Sequence, residues 1–280
     1  MPVALERLLA QGDVYVDPCS VVIWEQADAA RPWLPPHLLS VAGLPREAMI
    51  RLSQVDFLRL AAASLWLKGL LVSRAAGGGF HLGDSLAAKL ALQSVREAAG
   101  HGLMLHKMVE KAGLGDVRVM HDPAELDSAV AGWTTADAQL WAWLYLADSV
   151  IDSFVLKALR EGADMCPTAR QVLQLHHRDH VRHMTAARTM FEARMKTAGP
   201  LETRWFAFRL PALLRQFLKL AFFPTETSLA ALSLTQPRNT ARSIWNDQSR
   251  RSLAAGCAAS AVTVLRRGGL PLRPGASYPW

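Results

Sequence analysis

The chain has 280 residues, 51% hydrophobic and 20% charged, with a formal net charge of +7. That is enough to bury one sizeable core, so a single domain is expected. The basic residues are dispersed, without a Lys/Arg run interleaved with aromatics, which excludes a nucleic-acid groove. No stretch of 18 uncharged apolar residues occurs, so no membrane partner is expected. Cys19, Cys166 and Cys257 are odd in number and far apart. They offer neither a disulfide framework nor a thiolate metal site, and a reducing cytoplasmic location follows. Glu6 stands where a basic leader segment would begin, so no signal peptide is expected.

In chain order, residues 1–47 read as an irregular segment. Val14-Tyr15-Val16 and Val21-Val22-Ile23-Trp24 are either short strands or extended chain packed on a core. Pro32-Trp33-Leu34-Pro35-Pro36 is a rigid turn leading into a helix. From about Pro45 to Ala76, Leu52, Val55, Leu58, Ala62 and Leu65 recur at three-to-four spacing, which predicts that helix. Gly77-Gly78-Gly79 ends it as punctuation. It is not a phosphate loop, because no strand precedes it and no Gly-Lys-Ser/Thr follows. A second helix is predicted from about Ser85 to Ala112, closed by Gly113-Leu114-Gly115. Glu97 and His101 share its face, as a solvent-facing pair or as ligands.

The third predicted helix, about Thr135 to Glu161, is apolar nearly all round and is therefore buried. It carries Asp148 and Asp152, four apart. A buried carboxylate is costly unless paired or metal-bound, although one could face a rim or an Arg. After Cys166-Pro167 comes the fourth helix, about Thr168 to Thr197, closed by Gly199-Pro200. Residues 201–222 read as a basic amphipathic helix interrupted by Pro211, and residues 225–268 as one or two more. The tail, 269–280, orders only by docking.

Four of the nine histidines fall within eight residues of the fourth helix: His176, His177, His180 and His183. At i, i+4 and i+7, His176, His180 and His183 make a ladder on one face. His177 and Asp179 flank it. The alternatives are a solvated His/Arg-rich face and a metal site, since imidazole is the commonest transition-metal ligand. Helical bundles build such sites from side chains on facing helices. The expected fold is therefore an all-α, ferritin-like helical bundle. It has a four-helix core at 48–198, additional C-terminal helices at 199–268, and an irregular N-terminal segment at 1–47.

Several stretches, taken in order, resemble the diiron p-aminobenzoate N-oxygenase family over most of residues 33–268. They are Trp33-Leu-Pro-Pro-His-Leu-Leu39, Ser64-Leu-Trp-Leu-Lys68, Glu97 with His101-Gly-Leu-Met104, Tyr145-Leu-Ala-Asp-Ser-Val-Ile-Asp152, and His176 to His183. The resemblance implies a ferritin-like enzyme of natural-product biosynthesis that oxidises an amine. It implies one Glu ligand from the first helix, Glu-x-x-His from the second, Glu from the third and His-x-x-x-Glu-x-x-His from the fourth. His101, His176 and His183 match the histidines, and Asp148 the third-helix carboxylate. The chain departs elsewhere. Ala98 stands three residues before His101, with Glu97 one position off; His180 replaces the fourth-helix Glu, and Lys68 the first-helix carboxylate.

Paired iron ions need bridging carboxylates to offset their charge, so these departures imply a remodelled, His-rich site. Its candidate metal ligands are Glu97, His101, Asp148, His176, His180 and His183. Iron is the expected metal, as one or two ions, with another divalent metal or none as alternatives. Lys68 and His177 are the candidate catalytic residues. The expected function is a metal-dependent oxidoreductase using O2 and an amine or amino-acid-derived substrate, in a homodimer. Two alternatives share the bundle: a non-redox acid/base enzyme, and a catalytically dead homologue that partners an active oxygenase.

Overall fold

The computed structural model describes residues 15–39, 44–77, 85–111, 123–134, 136–231 and 236–272, with Glu6 and Ala10. Among these there is no strand; the elements are helical. In chain order they are α1 (Pro18–Val21), a 3-10 turn (Trp24–Gln26), α2 (Pro36–Leu39), α3 (Arg46–Gly77), α4 (Ser85–Lys111), α5 (Ala124–Val130) and α6 (Ala138–Glu161). They continue as α7 (Pro167–Met195), α8 (Pro200–Phe222), α9 (Glu226–Ala231), α10 (Pro237–Asn246) and α11 (Gln248–Arg267). The four long helices of the bundle match the predicted spans to within a few residues. Val14, Gly78, Gly79, Gly113, Leu114, Gly115 and Thr135 lie outside the described residues.

The bundle closes as a ring of neighbours, α3 on α4, α4 on α7, α7 on α6, and α6 on α3. α8 covers α3 from outside and α11 covers α6. α6 is enclosed from both sides, which explains its composition. Leu140, Trp141, Ala142, Trp143, Leu144 and Leu146 are all buried although they point in every direction around the helix.

Three expectations are corrected. The residues around Val21 form α1 and the 3-10 turn rather than a strand, because Asp17 caps the chain through the Cys19 N–H and Pro18 occupies the first helical position. Pro211 does not interrupt its helix: α8 runs through it. The lost N–H costs one helical bond, while Leu210, Leu213, Leu214, Phe217 and Leu218 are buried on both sides of it and hold the helix against the bundle. Among the described residues of 225–268 there are three helices rather than one or two; α10 stops at Asn246 and Asp247 caps α11 through the Arg250 N–H. Leu270 and Leu272 are buried, so the start of the tail docks.

The segment before α2 straps the start of α7. The Cys166 N–H donates to Pro32 O at 2.8 Å, the Thr168 hydroxyl to Ile23 O at 2.9 Å, and Ile23 N–H to the Gln171 side chain at 2.8 Å. α3 is tied to α8 and α11 by charged side chains. Asp56, Arg59 and Arg250 are each 1% exposed. Arg250 grips Asp56 with two nitrogens, at 2.6 and 3.3 Å, and donates to the carbonyls of Phe222 and Leu39. Arg59 donates to the carbonyl of Lys219 at 2.9 Å and to that of Leu220. Burial pushes the Asp56 carboxyl up against the pull of Arg250, and the Arg59 guanidinium down to about 9 against the pull of Asp56.

Candidate functional site

Each helix of the bundle sends polar side chains into an otherwise apolar interior. α3 contributes Lys68, α4 contributes Glu97 and His101, and α6 contributes Asp148. α7 contributes His176, His180 and His183. Lys68, Glu97, His101, Asp148, His176 and His180 are all buried, His101 and His180 completely. The i, i+4, i+7 ladder is realised as a column of rings. His176 and His180 centroids are 3.7 Å apart, His180 and His183 5.9 Å, and His101 lies 5.5 Å from His176. His177 stands off the column, half-buried at the side, with its Nδ1 2.5 Å from Asp152 Oδ1.

The hydrogen bonds fix the protonation pattern. As an ammonium Lys68 can only donate, and its Nζ is 3.3 Å from His183 Nδ1, so Nδ1 accepts. The His183 proton then sits on Nε2, which donates to Glu97 Oε2 at 2.5 Å. The other Glu97 oxygen is gripped by Arg182. His101 Nε2 donates to Asp179 Oδ2 at 2.9 Å, which leaves its Nδ1 as an acceptor. Among the described residues, His101 Nδ1, both nitrogens of His180, and Asp148 Oδ1 are buried without a hydrogen-bond partner. His180 Nδ1 and Asp148 Oδ1 are 3.3 Å apart but not aligned to bond.

Burial dominates the electrostatics. It holds the Lys68 ammonium below its ordinary range against the pull of Asp148 and Glu97, and lifts Asp148 to about 6 although Lys68 opposes. Burial and then Lys68 lower His183 to about 4, with Glu97 opposing. His176 and His180 are held well below their usual value by burial, then by neighbouring imidazoles and Lys68. His101 is lowered by burial, with Asp179 opposing. Burial acts to raise Glu97 and Asp179, but His183 and Arg182 outweigh it in the first, and His101 and Arg178 in the second. Near neutrality the buried imidazoles are therefore neutral and present lone pairs rather than charge.

A cavity of about 30 Å³ opens beside this cluster, walled by Leu67, Trp141, Leu144 and Met190, with Lys68, Asp148 and His183 at its polar end. That is room for about two waters. The donors do not already converge on one point: among the described residues no three His, Cys, Asp or Glu side chains sit at joint ligating distance.

Asp179 and Arg182 are the partners that the sequence reading did not single out as site residues. Both lie on the α7 flank facing α4, at i+3 and i+6 from His176. That spacing was the available signal, and it does not say what either residue meets.

The family model described as p-aminobenzoate N-oxygenase AurF matches residues 4–269 of this chain. No curated protein matches it.

Proposed function

We infer the function from one premise: the chain belongs to the p-aminobenzoate N-oxygenase family, whose members are ferritin-like oxidoreductases of the diiron type. The reading is an enzyme that oxidises a small amine or amino-acid-derived molecule with O2, at a metal site remodelled from two ions towards one.

The donor set does not fit a pair of irons. Bridging carboxylates are needed to offset two divalent charges. Here Glu97 is committed to His183 and Arg182, Asp179 to His101, and Asp152 to His177, which leaves Asp148. By residue type the set suits one divalent ion, although among the described residues the donors are not gathered at ligating distance. His101, His176, His180 and Asp148 are three imidazoles and a carboxylate, a set suited to iron, copper or zinc. The observation that carries this reading is the group of buried lone pairs without partners, on His101, His180 and Asp148. Buried polar atoms are paired as a rule, and several unpaired ones on residues of one cluster suit a bound water or ion.

Bound there, a redox-active ion would supply the electron-transfer step with O2. The rest belongs to the protein. Asp179 fixes the His101 tautomer so that Nδ1 faces inward. Trp141, Leu144 and Met190 give the cavity apolar walls that favour an uncharged amine and keep bulk water away. Asp148, lifted to about 6, is placed to exchange a proton with a group entering beside it. The cavity holds about two waters, so a substrate enters as its walls move apart. No helix among the described residues is long and apolar enough to cross a membrane. A cytoplasmic homodimer remains part of the proposal.

A second reading is favoured by one contact, Lys68 Nζ at 3.3 Å from His183 Nδ1. A protein cation inside the cluster suits metal-free acid/base chemistry, or a non-catalytic partner of an active oxygenase. Elemental analysis of protein expressed with iron, manganese, zinc and copper available separates the two. About one ion per chain, lost in His180→Ala, supports the oxidoreductase and leads to O2-consumption assays with arylamines. A metal-free protein sinks that reading in favour of the second.

A further inference from the structure

We propose that Lys68 seals one half of the centre against metal, so that the protein side chain stands where a second ion would have to bind. The inference rests on the metal-binding reading above and makes it specific.

The cluster divides into two halves that differ in the state of their lone pairs. In the first, a continuous relay runs from α3 through α7 to α4. The Lys68 amine donates to His183 Nδ1, His183 Nε2–H donates to one oxygen of Glu97, and Arg182 takes the other. Each donor atom that a cation would use on this side, one imidazole nitrogen and two carboxylate oxygens, already accepts a hydrogen bond from the protein. Lys68 keeps an N–H to donate to His183 whether or not it is charged. In the second half, His101 Nδ1, the two nitrogens of His180, one of which carries the ring proton, and Asp148 Oδ1 are buried without a hydrogen-bond partner. The two halves share a wall, because Lys68, Asp148 and His183 line one cavity. An ion entering through that cavity meets the open Asp148 on one side and the filled His183 on the other.

The consequence is a mononuclear site for a late divalent ion, and a single side chain that sets the stoichiometry. Replacing Lys68 by a carboxylate removes the donor to His183 and adds a ligand, which converts the sealed half into a second site. Titration of the metal-free protein with Co2+, followed by its d–d absorption, counts the ions bound. Wild type is expected to saturate at about one Co2+ per chain and folded Lys68→Glu at about two. Saturation of wild type at two ions, or of folded Lys68→Glu at one, overturns the inference while leaving the metal reading intact. No Co2+ bound by either protein overturns the metal reading, and this inference with it.

Lys68→Glu is a drastic change in a buried site, so a measurement on the wild type stands beside it. Imidazole 15N NMR during Zn2+ addition should move the His101 and His180 nitrogens and leave His183 as its Nε2–H tautomer. A His183 Nδ1 resonance that shifts as a ligand would overturn the proposal even if no variant folds.

Discussion

Asp179 reaches from α7 across to α4, where its Oδ2 lies 2.9 Å from Nε2 of the fully buried His101. This carboxylate has no role as a ligand in the proposed site, yet it decides which His101 nitrogen is free. Outer partners of this kind are worth about 10–100-fold in metal affinity. Asp179→Ala should therefore weaken Co2+ binding by roughly that factor while the helical circular dichroism stays unchanged, as chelator competition would measure. Unchanged affinity would remove His101 from the ligand set.

The metal-free protein should lose stability on acidification, and the sign follows from the imidazoles. His183 sits at about 4 in the folded chain against 6.5 when unfolded. As pH falls below 6.5 the unfolded chain takes up a proton that the folded chain refuses, so stability declines towards pH 4, by about 3 kcal/mol for this residue. Asp148 works the other way. At about 6 against 3.8 unfolded, it penalises the fold progressively as pH rises from 3.8 to 6, and fully above that. His101, His176 and His180 are all shifted in the same direction as His183, so the acid side prevails. Thermal melts of chelator-treated protein between pH 7 and 4 should show Tm falling. A flat or rising profile would mean that these rings are not buried as described.

The Asp56–Arg250 pair joins α3 to α11 with both side chains 1% exposed. Breaking such a pair leaves an uncompensated buried charge, at about 3–5 kcal/mol. Arg250→Ala should cost that much in urea denaturation. The paired change Asp56→Leu with Arg250→Met should recover part of it, less what is lost with the bonds to Phe222 O and Leu39 O. A double variant no better than the single one would show that the carbonyls, not the charge pair, hold α11.

Gly162, just past α6, is a case of close approach. A Cβ there would sit 2.6 Å from the backbone oxygen of Ala158 and 2.1 Å from Met165 Sδ. The sulfur can swing away but the carbonyl cannot, so Gly162→Ala should destabilise by about 1–3 kcal/mol. Gly132→Ala, with nothing within 4 Å of its Cβ, serves as the control and should be neutral in the same melts.

Helix limits were legible because their signals are local. Apolar residues at three-to-four spacing, Pro167 and Pro200 at first positions, and the enclosed composition of α6 depend on a few neighbours in sequence. The alignment of His176, His180 and His183 on one face is also a property of one helix. Pro211 was misjudged for a related reason: its local cost is readable, while the buried side chains that outweigh it are not.

What the sequence by itself determined here is therefore the all-α class, the spans of the four bundle helices, and the presence of a histidine column on one of them. The tertiary structure decided the partners. Lys68 with His183 is a pair 115 residues apart, Asp179 with His101 one 78 apart, and Arg250 with Asp56 one 194 apart. A periodic pattern says which way a side chain points from its own helix axis. Which neighbour it meets, and whether a lone pair is filled by a protein N–H or left open for an ion, is settled only when four helices pack at a particular rotation and offset.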